Sequence, residues 1–376
     1  MLPKVLFVIN SLAGGGAERV MTTLLAHSAD WRDRYEISLA LLDEEHVAYA
    51  VPEWIQVYRL DSRKNLLRSM WKLRALVKNL RPAITVSFLA RANVANWASH
   101  RGKNTPWVIS ERVNPEAHFG TSAAGVIRKA MMRFCYRRAT HVIAVSQGVA
   151  TDLIDKFAIP RHRISVIANP VDMDAIRRQA TAAPDLVVEA PYIVAMGRLV
   201  ENKNFALLID AFAASSIPGK LLIIGEGPLR SVLEERIAVY GLQDRIILTG
   251  FMQNPFPVLT QAQFFVLPSN AEGFPNGLVE AMSAGTAVIS THCKSGPSEI
   301  LSENSSADVT GMTPTDYGIL VPCNDIEAMS QALRYLQQDE VRESYAKRAL
   351  VRTKSYTPEK AAQRYWHAIE SALETA

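Results

Sequence analysis

Short apolar runs alternate with amphipathic stretches along most of the chain. Lys4–Ile9, Glu36–Leu42, Ile84–Phe88, Val108–Ser110, Val142–Val145 and Ile164–Ile167 have the length and branched side chains of buried strands. Between them, the residues up to about Ala29, then Asn65–Leu80, Asn93–His100, Gly125–Arg138 and Val149–Phe157, read as helices. Strand and helix in alternation predict a parallel, doubly wound sheet. Asn169-Pro170-Val171-Asp172 interrupts the pattern, and residues 173–190 show no periodicity, which predicts an interdomain linker. The alternation restarts at Tyr192–Met196, with a helix from about Asn204 and strands at Leu221–Ile224, Ile246–Leu248, Phe264–Leu267, Ala287–Ser290 and Gly318–Val321. The predicted class is therefore α/β, with two tandem Rossmann-like domains over 1–172 and 191–354 and a final helix over 355–376 packing back toward the first. Ligands of such sheets bind at the carboxyl ends of the strands, here in an interdomain cleft.

Three loops carry candidate chemistry. After the first strand, Gly14-Gly15-Gly16 opens a helix, so backbone could approach a diphosphate closely. G-x-G-x-x-G is not met, and a tight structural turn is the other reading. Arg198 and Lys203 follow the first strand of the second domain, where two cations suit a diphosphate leaving group whose charge grows as its bond breaks. Solvated surface charge is the plainer reading of the same residues. Later, Phe264–Leu267 ends at Pro268-Ser269-Asn270, and Leu278–Ala284 reads as a helix begun at Asn276 or Gly277 and stopped by Gly285. Glu272 precedes this helix and Glu280 lies within it. On one helix they would be about 12 Å apart along the axis, whereas a glycosidase pair spans roughly 5 to 9.5 Å. The two carboxylates thus read as holding different parts of one long, phosphate-bearing ligand.

The E-x7-E spacing, in the setting Glu272-Gly273-Phe274-Pro275-Asn276-Gly277-Leu278-Val279-Glu280-Ala281-Met282-Ser283-Ala284-Gly285, resembles the retaining glycosyltransferases of family 4, which have the GT-B fold. Arg198-x4-Lys203 resembles that family's phosphate-clamping pair. The resemblance implies that Arg198, Lys203 and Glu272 serve catalysis, with Glu272 near the transferred sugar. It implies that Phe274, Pro275, Asn276 and Gly277 line the nucleotide sugar through backbone and side chain, and that Glu280 holds the ribose hydroxyls. It also places Phe251, in Thr249-Gly250-Phe251, against the nucleotide base, and Gly15 and Gly16 at the diphosphate. Ser295-Gly296-Pro297-Ser298-Glu299 resembles the family's loop before a helix near the donor, although Ser298 could equally cap that helix. Gly225-Glu226-Gly227-Pro228 reads as a structural turn with Pro228 at a first helical position. Many members carry a histidine after the mid-domain strand of the first half. Here Ser110-Glu111-Arg112-Val113-Asn114-Pro115 stands instead, with Glu111 or Arg112 as replacements and His118 out of register. That motif resembles a subgroup building lipid-linked oligosaccharides and surface polysaccharides.

Composition adds the partners. Hydrophobic residues make up 48% and charged residues 21%, ordinary for a globular chain. Apolar runs are too short to span a bilayer, and an odd set of three cysteines without ligand spacing suggests reduced thiols and a cytoplasmic location. Residues 1–180 carry 26 Lys and Arg against 15 Asp and Glu, whereas the remainder carries 15 against 22. A basic half predicts an anionic partner: nucleic acid, membrane or phosphorylated substrate. Leu66, Met70, Leu73, Val77 and Leu80 form one apolar stripe flanked by Arg68, Lys72, Arg74, Lys78 and Arg81; Ile127, Met131 and Phe134 lie among Arg128, Lys129, Arg133, Arg137 and Arg138. Either stripe could be buried on its own sheet or meet an anionic membrane surface. Nucleic acid is disfavoured because no aromatic-basic motif occurs. The reading is a peripheral enzyme of the membrane's inner face moving a hexose or N-acetylhexosamine from a UDP-sugar to a lipid-linked saccharide, with no metal and no cofactor. A nucleotide-sugar 2-epimerase and a non-catalytic membrane scaffold are the rival readings.

Overall fold

A computed structural model describes residues 2–100, 105–112, 123–184, 186–189, 191–303 and 308–375. Asn114, Pro115 and His118 lie outside them. The chain divides into two units, residues 1–170 with 358–376 and residues 171–357.

The first unit holds β1 (Lys4–Ile9), α1 (Gly16–Ala26), β2 (Glu36–Leu41), β3 (Gln56–Arg59), α2 (Leu66–Leu80), β4 (Ile84–Phe88), α3 (Ala90–Ser99), β5 (Trp107–Glu111), α4 (Ala123–Tyr136), β6 (His141–Ala144), α5 (Gln147–Asp155) and β7 (Ile164–Val166). Its strands are all parallel, in the order β3-β2-β1-β4-β5-β6-β7. β1 is apolar on both faces because both are covered: Val5, Phe7 and Ile9 join one core cluster, Leu6 and Val8 the other. β3 escaped the sequence reading because its half-exposed Gln-Val-Tyr-Arg run is an edge with little apolar pattern. The unit is completed by the helix Pro358–Glu374, whose Trp366 is fully buried, stacks on Trp31 at 5.2 Å and donates to Ser28 Oγ at 2.8 Å.

The second unit opens with α6 (Met173–Ala180), where a linker was predicted. Asp172 caps it by accepting from the Ala175 N–H at 2.8 Å. Only Ile176 is buried in this two-turn helix, too little apolar repetition for a sequence signal. There follow β8 (Tyr192–Met196), α7 (Phe205–Ser215), β9 (Lys220–Ile224), α8 (Arg230–Val239), β10 (Ile246–Gly250), α9 (Phe256–Gln261), β11 (Phe264–Leu267), α10 (Asn276–Ser283), β12 (Ala287–Thr291), α11 (Pro297–Leu301), β13 (Thr313–Pro314), β14 (Ile319–Val321), α12 (Ile326–Tyr335) and α13 (Asp339–Thr353). The helix over 358–374 in the first unit is α14. The sheet runs β10-β9-β8-β11-β12-β14-β13, parallel except for the two-residue β13. Both units are thus Rossmann-like, as predicted. No helix among the described residues is long and apolar enough to cross a membrane.

Candidate active site

In the second unit the loops that carry candidate residues are neighbours. Along the sheet, Phe251 follows β10, Gly225–Gly227 follows β9, Arg198 and Lys203 follow β8, Glu272 follows β11 and Ser295-Gly296 follows β12. Parallel strands bring all five loops to one edge. Three inter-strand steps, roughly 14 Å in all, separate the strand of Phe251 from that of Glu272. β8 and β11 flank the point where the winding reverses, the place where open sheets bind ligands.

Lys203 ends a short 3-10 turn, Glu201–Lys203, and its Nζ donates to Glu272 Oε1 at 2.5 Å. The lysine stem lies beside Gly197, where a Cβ would make ordinary contact at 3.5 Å from Cδ. Ser295 Oγ donates to the Glu272 carbonyl at 2.6 Å, which fixes the backbone below the carboxylate. Arg198 differs. Its side chain is exposed, and among the described residues none forms a hydrogen bond or ion pair with its guanidinium.

The loop of Arg198 is nonetheless tied down by backbone bonds. Gly197 N–H bonds Ile224 O at 3.0 Å, Leu199 N–H bonds Glu226 O at 2.9 Å, and Leu229 N–H bonds Leu199 O at 3.1 Å. A Cβ at Gly225, whose φ is +144°, would fall 1.9 Å from Gly197 O, and one at Gly227 would fall 2.3 Å from Leu199 O. Only glycine allows that approach. The Gly225–Gly227 turn is therefore the brace of the Arg198 loop. Pro228 sits in the turn before α8, two residues short of its first residue, Arg230, which corrects its predicted helical position.

α10 begins at Asn276 and stops before Gly285, whose φ is +81°. Its start seats on β8, because a Cβ at Gly277 would lie 3.5 Å from Met196 Cε. Glu280 lies in the second turn and is largely buried. The Phe274 ring is buried edge-on against Tyr356, with centroids 5.5 Å apart, so it belongs to the core. A ring spent in the core is not open to a ligand, which corrects the lining predicted for that side chain. Gly296, at φ +95°, lies against Pro275, where a Cβ would be 2.6 Å from Cδ. Gly296 is also the N-cap of α11 and its N–H donates to Glu299 Oε1 at 3.4 Å, so Ser298 sits inside the helix and does not cap it. Phe251 is 78% exposed, at the end of a strand that turns through Gly250 at φ +80°.

In the first unit, Gly14 takes φ +112°, Gly15 caps α1 and Gly16 is its first residue. The sequence reading missed Glu18. Its carboxylate curls back over the helix start, where a Cβ on Gly15 would fall 2.4 Å from Glu18 Oε2. Burial raises its pKa, against its own backbone N–H and the positive charge of Arg112. The signal was its place three residues after the cap, where Glu reaches back to free N–H groups. Glu111 ends β5 and Arg112 follows it, only 1% and 7% exposed. Tyr136 Oη donates to Glu111 Oε2 at 2.6 Å, and Asn93 Nδ2 donates to Tyr136 Oη at 2.8 Å. Burial and the Glu111 charge push the Tyr136 phenol well above its ordinary pKa. Arg112 donates to Tyr365 Oη at 2.8 Å and to Asn169 Oδ1, with its guanidinium over the Phe88 ring. Both residues are therefore held by internal partners from α4 and α14.

These loops sit in a chain with known relatives. Residues 14–175 match the family described as Glycosyltransferase Family 4, and residues 190–339 match Glycosyl transferases group 1. The chain is 30% identical over 375 residues to N-acetylgalactosamine-N,N'-diacetylbacillosaminyl-diphospho-undecaprenol 4-alpha-N-acetylgalactosaminyltransferase of Campylobacter jejuni, covering 96% of this chain and 98% of that enzyme. It belongs to glycosyltransferase family 4. A second enzyme of that organism, GalNAc-alpha-(1->4)-GalNAc-alpha-(1->3)-diNAcBac-PP-undecaprenol alpha-1,4-N-acetyl-D-galactosaminyltransferase, is 26% identical over 90% of this chain and 89% of its own. Among solved structures, Anabaena HepE in complex with UDP-glucose has a TM-score of 0.75 at 18% identity, over 98% of this chain and 99% of its own. That likeness shows the fold, the paired Rossmann-like domains of GT-B.

As a family 4 glycosyltransferase, the chain places its E-x7-E carboxylates on one loop and helix beside the end of β8. It also contains one Asp-x-Asp triplet, Asp172-Met173-Asp174. Asp172 caps α6 and Asp174 pairs with Arg177 at 3.4 Å, so in this transferase the triplet is a helix start.

Proposed function

We propose that the chain transfers a hexose or N-acetylhexosamine, with retention of configuration, from a UDP-sugar to a hydroxyl of a lipid-linked or cell-surface saccharide. The observation that carries this reading is the Lys203–Glu272 pair at the reversal point, with Arg198 beside it. Similarity to the two Campylobacter enzymes, whose names give a diphospho-undecaprenol-linked saccharide, supports the acceptor; HepE, solved with UDP-glucose, supports the donor. The second domain holds the donor and the first the acceptor.

In the proposed chemistry the bond from the sugar's anomeric carbon to the diphosphate breaks. The acceptor oxygen bonds that carbon from the same face, and its proton passes to the departing phosphate oxygen. Arg198 and Lys203 take up the charge growing on the diphosphate, so no metal is required. Glu272, oriented by Lys203, faces the sugar with the backbone of Phe274, Pro275, Asn276 and Gly277. Glu280 accepts from the ribose hydroxyls, a task suited to a group with two acceptor oxygens. Phe251 offers its exposed face to the base. Gly15 and Gly16 approach the diphosphate at a helix start over which the Glu18 carboxylate also curls. Glu111 and Arg112, held from behind, stand where many relatives keep a histidine.

The first domain is further proposed to rest on the anionic inner face of the membrane. On α4, Ile127 is 70% exposed beside Val126, Met131 and Phe134, while Met132, Cys135 and Tyr136 face inward. On α2 the predicted stripe is spent on the core, but Leu67 and Trp71 are 74% and 72% exposed. α3 joins the two, since Trp97 meets Phe134 edge-on at 5.7 Å.

A panel of UDP-sugars incubated with the protein, with and without lipid extract from its source, tests the reaction. Expected is one donor consumed only when the extract is present, giving an α-linked product. A donor sugar altered without any acceptor would mean an epimerase, and no turnover with any donor would mean a scaffold.

A further inference from the structure

Asn204 is the last feature of the β8 loop that neither the family pattern nor the proposed chemistry uses. It adopts the left-handed conformation, φ +47°, ψ +44°, directly after Lys203. Its side-chain amide has one acceptor and two donor hydrogens, and three different segments engage it. Oδ1 accepts from Leu207 N–H at 3.4 Å, capping α7. Nδ2 donates to Asn270 Oδ1 at 3.1 Å, in the loop after β11, and to Asn324 Oδ1 at 2.9 Å, in the loop after β14. The neighbouring Asn202 adds two bonds to the same β11 loop: its carbonyl accepts from Asn270 N–H at 2.8 Å and its Nδ2 donates to Ala271 O at 3.4 Å. Lys203 is thus clamped on both sides, and the clamp reaches the segment immediately before Glu272.

We infer that Asn204 is a positioning residue for transfer, setting where the Lys203 ammonium stands relative to Glu272. The inference rests on the role proposed for Lys203. Glycine alone would satisfy the backbone, and is nearly as good a cap as asparagine. What glycine cannot supply is the two-pronged donor tying the lysine's loop to the ends of β11 and β14. These bonds are largely solvent-exposed, so they contribute little to global stability and much to the register of one loop against the next. A cation displaced by a fraction of an ångström from a departing phosphate loses much of its effect on rate.

The experiment compares Asn204→Gly, Asn324→Ala, Lys203→Ala and the double variant Lys203→Ala/Asn204→Gly, reading kcat, donor KM and Tm. Expected is a melting temperature close to wild type for Asn204→Gly, with kcat lowered about tenfold or more and donor KM little changed. Asn324→Ala, which leaves the 204 backbone untouched, should show a smaller fall of the same kind. The double variant should be no slower than Lys203→Ala, because the asparagine acts through the lysine. Unchanged kcat in Lys203→Ala would overturn the role given to the lysine itself. If Lys203→Ala is slow but Asn204→Gly and Asn324→Ala turn over like wild type, or if Asn204→Gly changes only KM, the positioning role is wrong.

Discussion

Lys203 Nζ and Glu272 Oε1 stand 2.5 Å apart although 69 residues separate them in the chain. The neighbouring cation, Arg198, has no such partner among the described residues. Two residues that look equivalent in the sequence therefore differ physically. One is paired and oriented by a carboxylate, and the other holds its guanidinium exposed.

Replacing each should separate these roles. Arg198→Ala is expected to lower kcat about 10²-fold or more, with Tm unchanged because an exposed residue without partners adds little to stability. Lys203→Ala should lower kcat comparably but also lower Tm, since it leaves the mostly buried Glu272 carboxylate without its counter-charge. Steady-state kinetics and thermal melts on both variants check this; equal melting losses would contradict the difference in environment.

Glu280→Ala is expected to act on donor affinity. A ribose ligand makes the same bonds in ground and transition states, so KM for the donor should rise with kcat nearly constant. Glu280→Gln keeps one acceptor oxygen and should fall between. A large drop in kcat at unchanged donor KM would remove the ribose assignment.

Phe251→Ala tests an aromatic surface that serves no core. At 78% exposure its removal should leave Tm within a degree or two while weakening the donor. Loss of a ring face worth about 1 kcal/mol corresponds to roughly a fivefold rise in KM. UDP titration of wild type and variant by calorimetry reads the same loss without turnover, and identical affinities would leave the exposed ring unexplained.

Membrane attachment should depend on α4. Arg128, Arg133 and Arg137 are exposed beside Ile127 and Phe134, and each cation near an anionic bilayer is worth roughly 1 kcal/mol. Changing the three arginines to Glu should release the protein from anionic vesicles at low salt, and high salt should do the same to wild type. Lys72 and Arg74 are poorer probes, because they bond the backbone carbonyls of Leu60, Asp61 and Ala98. Turnover of a short water-soluble acceptor should survive the α4 changes. Wild type that never binds anionic vesicles, even in low salt, would end this part of the proposal.

Alkaline stability should report the inward face of the same helix. Burial raises the Cys135 thiol from 9.0 to about 11, against the nearby charge of Arg138. The folded chain then keeps a proton that the unfolded chain gives up, so this contribution is complete below about pH 9 and is lost as pH rises towards 11. Tm of wild type should fall more steeply across that window than Tm of Cys135→Ala. Parallel curves would show that the thiol does not titrate with folding.

The helix α4 also marks where periodicity stops being informative. Ile127, Met131 and Phe134 make as good a helical stripe as Met132, Cys135 and Tyr136 do, and helical spacing cannot say which one meets the sheet. For α2 the better stripe, Leu73 and Val77 among it, was also the buried one. Local pattern was enough for the strands, because a strand covered on both faces is apolar throughout and short, and that composition survives any tertiary arrangement. It was enough for the fold class, for a start of α10 at Asn276 or Gly277, and for placing Arg198, Lys203 and Glu272 at strand and helix ends and Glu280 within a helix. Partnership was decided only in three dimensions. Strand order brings the end of β8 beside that of β11, and so Lys203 onto Glu272; nothing in either segment encodes the other's distance. The same holds for Gly225 and Gly227, whose need for glycine comes from carbonyls of the neighbouring loop, and for Phe274, whose ring was claimed by Tyr356. Sequence thus specifies what each residue can do, from its chemistry and its immediate backbone. Which of those capacities is used depends on non-local contacts made when strands distant in the chain become neighbours in the sheet.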